Sequence, residues 1–145
     1  MPSTHGAAPD RATLSRLLRK ARTIAVVGLS PNPARPSHEV ASYLQDAGYR
    51  IVPVRPAVES VLGERAYPDL ESAARAVGAI DVVNVFRRSE FVAALAEPLL
   101  AIRPSLVWLQ MGIRDPETAR RLTDAGIPVV MDRCLMADHP SLVVD

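Results

Sequence analysis

One cysteine stands in the whole 145-residue chain, which excludes an internal disulfide and any zinc site built on paired thiolates. Aromatic residues are only 4% of the sequence, too few for the stacking platforms that hold single-stranded nucleic acid. Neither sign of charge dominates: 17 Lys and Arg against 16 Asp and Glu leave a formal net charge of +1, so the broad cationic footprint of a nucleic-acid binder is missing. No apolar run approaches the ~20 residues needed to cross a bilayer. The opening MPSTHGAAPD lacks the apolar stretch of a secretory signal. Internal repeats and low-complexity blocks are absent as well. These absences make a reducing, cytoplasmic setting the expectation for the thiol, with neither nucleic acid nor membrane as a partner. What is present is ordinary for a folded chain, with 48% hydrophobic and 23% charged residues. A chain of this size buries roughly 68–70% of its unfolded surface, enough for one core. Residues 1–9 read as a short disordered leader and 10–145 as a single domain.

Along the chain, apolar runs alternate with helical stripes. Leu14, Leu17 and Leu18 behind Asp10 predict a helix to about Ala21. TIAVVG at 23–28 is a continuous apolar run ending in glycine, the mark of a strand buried on both faces. After the proline-dense loop 29–36, Val40, Tyr43, Leu44 and Ala47 give a helix from about Ser37, stopped at Gly48. Next come a strand at 49–54, a short edge strand at 63–67, a helix capped by Asp69 and a strand at 81–86. Ser89 is expected to cap a helix reaching about Ile102, kinked or broken at Pro98. A strand at 106–110, a helix opened by Asp115 and Pro116 and ended at Gly126, and a strand at 127–131 complete the series. This alternation predicts a doubly wound α/β fold with a mainly parallel sheet and helices on both faces. The expected strand order is 3-2-1 in the first half, with later strands added on the other side of the first.

In such a sheet ligands bind beyond the carboxyl ends of the strands, where strand order reverses. The residues expected at that rim are Gly28, Leu29 and Ser30, then Arg55 and Pro56, Arg87 and Arg88, Gly112 and Arg114, and Asp132, Arg133 and Cys134. Arginine occurs at four of these five edges, and Arg35 joins them from the first loop. That concentration in a nearly neutral chain points to an anionic ligand; polar, arginine-bearing loops are the ordinary alternative. Gly28 permits a tight turn, and the helix beginning near Ser37 directs free N–H groups into the loop, with Ser30 and Ser37 adding hydroxyls. This is chemistry for a phosphate or diphosphate. The dinucleotide pattern of three glycines is incomplete in GLSPNP, and the second strand ends in Arg55, where NAD binding calls for an acid. A cation there suits an additional ribose phosphate, which leaves NADP or coenzyme A.

The stretches GLSPNPARPSH, DVVNVFRR, VWLQMGIRD and VVMDRCLMADH, in this order over about residues 10–142, resemble the small stand-alone CoA-binding proteins. These have a Rossmann-like fold similar to the CoA-binding domain of the succinyl-CoA synthetase α subunit. The resemblance implies coenzyme A or an acyl-CoA as ligand. It implies that Gly28, Leu29, Ser30, Pro31, Asn32 and Pro33 wrap the diphosphate with Arg35, Ser37 and His38 nearby, and that Pro53, Arg55 and Pro56 flank the adenosine. Phe86, Arg87 and Arg88 would lie along the ligand, and Gln110, Gly112 and Ile113 would line the floor. Family members often carry asparagine where this chain has Arg55. The synthetase's phosphorylated histidine belongs to a further domain outside the matching stretches, so the resemblance implies binding and no reaction.

An enzyme, either an NADP-dependent reductase or an acyl-CoA-processing subunit, is the competing expectation. Its candidate proton donors or nucleophiles are His38, Asp132 and Cys134. Cys134 reads as a small core residue or, beside Arg133, as a thiol able to exchange with that of CoA. His5, His38 and His139 have no metal-ligand spacing, so no metal is expected. No nucleophile elbow is present. Trp108 and Met111 are assigned to the core.

Overall fold

In a computed structural model, residues 8–144 are described. The expected leader falls mostly on residues 1–7, outside the described residues, as does His5. Helix α1 (Arg11–Lys20) begins where the Asp10 carboxylate accepts the Thr13 N–H at 2.8 Å. That bond holds the Asp10 carboxyl below its ordinary range. Strand β1 (Thr23–Val27) is buried along its whole length, as its unbroken apolar run requires. Then follow α2 (Pro36–Asp46), β2 (Arg50–Val54), the two-residue strands β3 (Ser60–Val61) and β4 (Glu64–Arg65), and α3 (Leu70–Val77). Strand β5 (Val82–Val85), α4 (Ala96–Ile102), β6 (Leu106–Leu109), α5 (Pro116–Asp124), β7 (Val129–Val130) and α6 (Leu135–Leu142) complete the order.

Five strands form one parallel sheet in the order β2-β1-β5-β6-β7. Side chains alternate across it. Ile24, Val26, Val82 and Trp108 pack with Leu18, Leu44 and Leu135 of α1, α2 and α6. Ala25, Val27, Val83 and Leu109 pack with Leu70, Leu99 and Leu122 of α3, α4 and α5. Helices therefore cover both faces, as the alternation of elements predicts. The chain leaves β1 toward β2 on one side and returns to β5 on the other, so the crevice between the carboxyl ends of β1 and β5 is the reversal point. Pro53 is tolerated within β2 because that strand is the edge of the main sheet.

Three expectations are corrected. The edge strand at 63–67 is a β3–β4 hairpin plus one parallel bridge from Tyr67 to Val54, so the third position of the 3-2-1 order is a single residue pair. Ser89 caps no long helix: 89–91 and 93–95 are 3-10 turns, and α4 starts only at Ala96. Pro98 accordingly sits in the first turn of α4, where a missing N–H costs nothing. Helix α6 was not expected, because Pro140 lies inside it and disguises the stripe of Leu135, His139 and Leu142.

Candidate functional site

The β1–α2 turn is shaped by its own polar groups. The Ser37 hydroxyl accepts the Ser30 N–H at 3.0 Å, the Ser30 hydroxyl accepts the Asn32 N–H at 3.1 Å, and Asn32 Oδ1 accepts the Ala34 N–H at 3.0 Å. Both serine hydroxyls keep their own proton to donate. Pro31, Pro33 and Pro36 stiffen the loop and remove three donors. The N-cap of α2 is Arg35, which has no oxygen to offer the first turn, so the helix start is uncapped by any side chain.

Gly28 has φ +85°, and a Cβ there would stand 2.8 Å from the Phe86 carbonyl oxygen. The close approach that demands glycine is thus to the exit of β5, in addition to the tight turn. The Gly28 carbonyl accepts an Arg55 guanidinium N–H at 3.2 Å, which ties the end of β2 to this turn.

At the exit of β5, the Arg87 and Arg88 guanidinium groups lie 5.3 and 5.4 Å from the Phe91 ring centroid. Arg88 also meets Glu90 at 3.5 Å in an exposed pair. At the exit of β6, Gly112 donates its N–H to Asp132 Oδ1 at 2.6 Å, and Asp132 Oδ2 lies 3.7 Å from Arg114. Asp132, considered above as a proton donor, is therefore a clamp on the 111–114 loop and does not border the cleft. Arg133, the expected neighbour of the thiol, pairs instead with Asp138 at 2.7 Å. Trp108 is wholly buried and donates its indole N–H to the Arg133 carbonyl at 2.8 Å, which fixes the β7–α6 turn over the sheet.

A cleft of about 940 Å³ opens above these turns, within the size range of ligand pockets. Of the expected site residues, Gly28, Ser30, Pro31, Asn32, Arg35, Ser37, Arg55, Phe86, Arg87, Arg88, Gln110, Gly112, Ile113 and Cys134 line it. The others do not: Leu29 is fully buried in the core, Pro33 is exposed in the loop, Pro53 is buried within β2, Pro56 is exposed beyond it, His38 is half-buried on α2, and the rim residues Arg114, Asp132 and Arg133 stand outside the cleft lining. The lining residues missed were Pro36, Glu39, Val40, Ser89, Met111 and Met136. Met111 corrects its assignment to the core, since it is 65% exposed at the cleft wall. Its signal was position, directly after a strand that ends at the rim; Met136 had none without α6. The lining carries four arginines against Glu39 alone, in a chain of net charge +1. Among the described residues no cluster of His, Cys, Asp or Glu is arranged for a metal, and no helix is long and apolar enough to cross a membrane.

The profile of a family described as "CoA binding domain" matches residues 22–140. The uncharacterized protein YneT of Bacillus subtilis is 40% identical over 131 residues, covering 90% of this chain and 95% of that protein. A solved structure from Thermus thermophilus is 42% identical with a TM-score of 0.86, covering 92% of this chain and 99% of the other. A hypothetical protein from Pyrococcus horikoshii is 29% identical with a TM-score of 0.85, covering 98% and 99%.

Proposed function

Because the chain belongs to the CoA binding domain family, we propose that its cleft holds coenzyme A or an acyl-CoA, with the diphosphate at the β1–α2 turn and the pantetheine arm running toward β6 and β7. The observation that carries this reading is the α2 N-terminus, uncapped by any side chain, opening onto the same cleft as Arg35, Arg55, Arg87 and Arg88. A helix start and preset hydroxyls suit a diphosphate, which needs several donors held in fixed directions. The adenosine then lies over the β2 edge, where Arg55 meets the ribose 3′-phosphate with paired, planar donors. The chain's residues bind and orient; the thiol chemistry belongs to the bound molecule.

Arg55 also supports a second reading, NADP bound by a reductase, because the same cation suits a 2′-phosphate. Calorimetric titration with CoA, dephospho-CoA, NADP and NAD separates the two. CoA is expected to bind most tightly and to raise the melting temperature; a ligand at 100 times its Kd stabilises the fold by about 2.7 kcal/mol. Tight NADP binding with no response to CoA overturns the reading. Native mass spectrometry of the purified protein adds an independent check, since a retained nucleotide shows by its mass.

A further inference from the structure

The carboxyl edges of the strands form a linear sequence: Arg55 after β2, Gly28 and the α2 start after β1, Phe86 to Arg88 after β5, Gln110 after β6 and Cys134 after β7. At about 4.8 Å per strand step, β7 lies about 14 Å from β1. A diphosphate at β1 and adenosine over β2 send the other end of an extended pantetheine arm to the β6–β7 side. Gln110 and Cys134 wait there, both lining the cleft.

Gln110 is only 6% exposed, and its amide orientation is fixed from behind. The Leu135 N–H is a donor and meets the side chain at 3.3 Å, so that atom is the oxygen Oε1. The same oxygen lies 3.4 Å from Asn84 Nδ2, which also reaches the Trp108 carbonyl at 3.2 Å. Nε2 is thereby turned away from these partners, and it donates to no group among the described residues. Gln110 lines the cleft, so an amide donor left open there can meet an acceptor on the ligand. Leu135 follows Cys134 directly, so its bond to Oε1 sets the Gln110 side chain against the N-cap of α6 that carries the thiol.

We propose that Cys134 and Gln110 form a thioester-exchange site at this end of the cleft. The inference rests on the CoA reading above. The Cys134 sulfur attacks the carbonyl carbon of a bound acyl-CoA, and Gln110 Nε2 donates to the carbonyl oxygen as it becomes negative. The new sulfur–carbon bond forms, the bond to the CoA sulfur breaks, and the proton lost by Cys134 is matched by one gained by the CoA thiolate from solvent. The products are S-acyl Cys134 and free CoA, with no oxidant or reductant. Asn84 is a positioning residue that holds the Gln110 amide in register.

Acetyl-CoA is the probe. Incubation followed by denaturing intact-mass analysis is expected to show one acetyl group on the protein, released by neutral hydroxylamine and absent in Cys134→Ser. Gln110→Glu keeps an oxygen for the Leu135 N–H but loses the donor, and is expected to slow acetyl transfer about 100-fold, the low end for loss of one oxyanion donor. CoA binding by the unaltered protein is measured in parallel. Binding without an adduct, or an acetyl group that resists hydroxylamine and persists in Cys134→Ser, overturns the exchange site and leaves the CoA reading standing. Failure of CoA to bind removes the CoA reading itself.

Discussion

Two basic hollows sit at opposite ends of the same sheet, and charge does not tell them apart. At the carboxyl end, Arg35, Arg55, Arg87 and Arg88 surround the 940 Å³ cleft. At the amino end, Arg16, Arg19, Lys20 and Arg22 line a hollow of about 800 Å³. The difference lies in the backbone. At the amino end, Asp81 Oδ2 accepts the N–H groups of Arg22 and Thr23 at 2.9 and 3.0 Å, so the chain supplies its own anion. At the carboxyl end, the start of α2 has no side-chain acceptor and the Gln110 amide nitrogen has no partner among the described residues. Donors that the fold leaves unanswered mark a binding site better than cations do, because a lone surface cation is already satisfied by water.

The largest expected effect comes from the carboxyl end. Gly28→Val combines a positive φ with a 2.8 Å approach to the Phe86 carbonyl, and is expected to cost about 3 kcal/mol or more in urea unfolding. Fold and ligand binding are lost together; intact stability with lost binding would return Gly28 to a phosphate-contacting role.

At the amino end, Asp81→Ala strips two N–H groups of a charged acceptor. It is expected to lower stability by about 2 kcal/mol while CoA affinity, measured by calorimetry, stays within about twofold. A matching loss of affinity would erase the distinction between the two hollows.

Arg55→Ala is expected to weaken CoA roughly 10–150-fold, the equivalent of one charge-assisted hydrogen bond of about 1.5–3 kcal/mol. Dephospho-CoA should be barely affected, and calorimetric titration of both ligands against both proteins gives the coupling directly. Lys20→Ala at the amino end should leave both ligands unchanged. Equal losses for CoA and dephospho-CoA would mean that Arg55 serves only through its bond to the Gly28 carbonyl.

The smallest effect is pH-dependent and sits on α6, the helix that links the two ends. His139 is buried, with Nδ1 2.8 Å from the Tyr43 hydroxyl and Nε2 2.9 Å from that of Tyr49. Tyr49 gives its own proton to the Leu18 carbonyl, so Nε2 carries the imidazole hydrogen. Burial lowers the His139 pKa from 6.5, and burial followed by the Tyr43 field raises that of Tyr49. The unfolded chain then binds a proton that the folded one resists. The contribution of His139 is present above pH 6.5 and is lost as pH falls below it, by at most about 1.4 kcal/mol per pH unit. Urea unfolding at pH 7.5 and 5.5 (working values, set roughly one unit to either side) should show this slope, and His139→Gln should flatten it. Asp10 and Asp69, both held low by N-cap bonds, act only in stronger acid and stay outside that window.

Much of this arrangement was legible in order. Unbroken apolar runs such as Thr23–Val27 have one physical use in a chain this size, a strand covered on both sides, and Gly28, Asp69 and Pro116 punctuate the elements by local backbone rules. The rim residues followed, because in a parallel sheet the residue after each strand belongs to one edge. Leu29 and Met111 failed that rule in opposite directions. Whether a rim side chain turns into the core or out to the cleft depends on the helix packed beside it, and no local pattern states that.

The sequence by itself determined the alternation of strands and helices, the parallel sheet and the cationic carboxyl edge, since these follow from periodicity and from which residues end each strand. Only the tertiary structure decided which polar groups answer one another. Asp81 met the Arg22 and Thr23 N–H groups across 59 and 58 residues, and Gln110 met the Leu135 N–H on a helix hidden by Pro140. Such pairings depend on distances of a few tenths of an ångström between distant segments. Hydrogen bonding is short-ranged and directional, so it is fixed by packing after the chain has folded, while hydrophobic periodicity is written residue by residue beforehand.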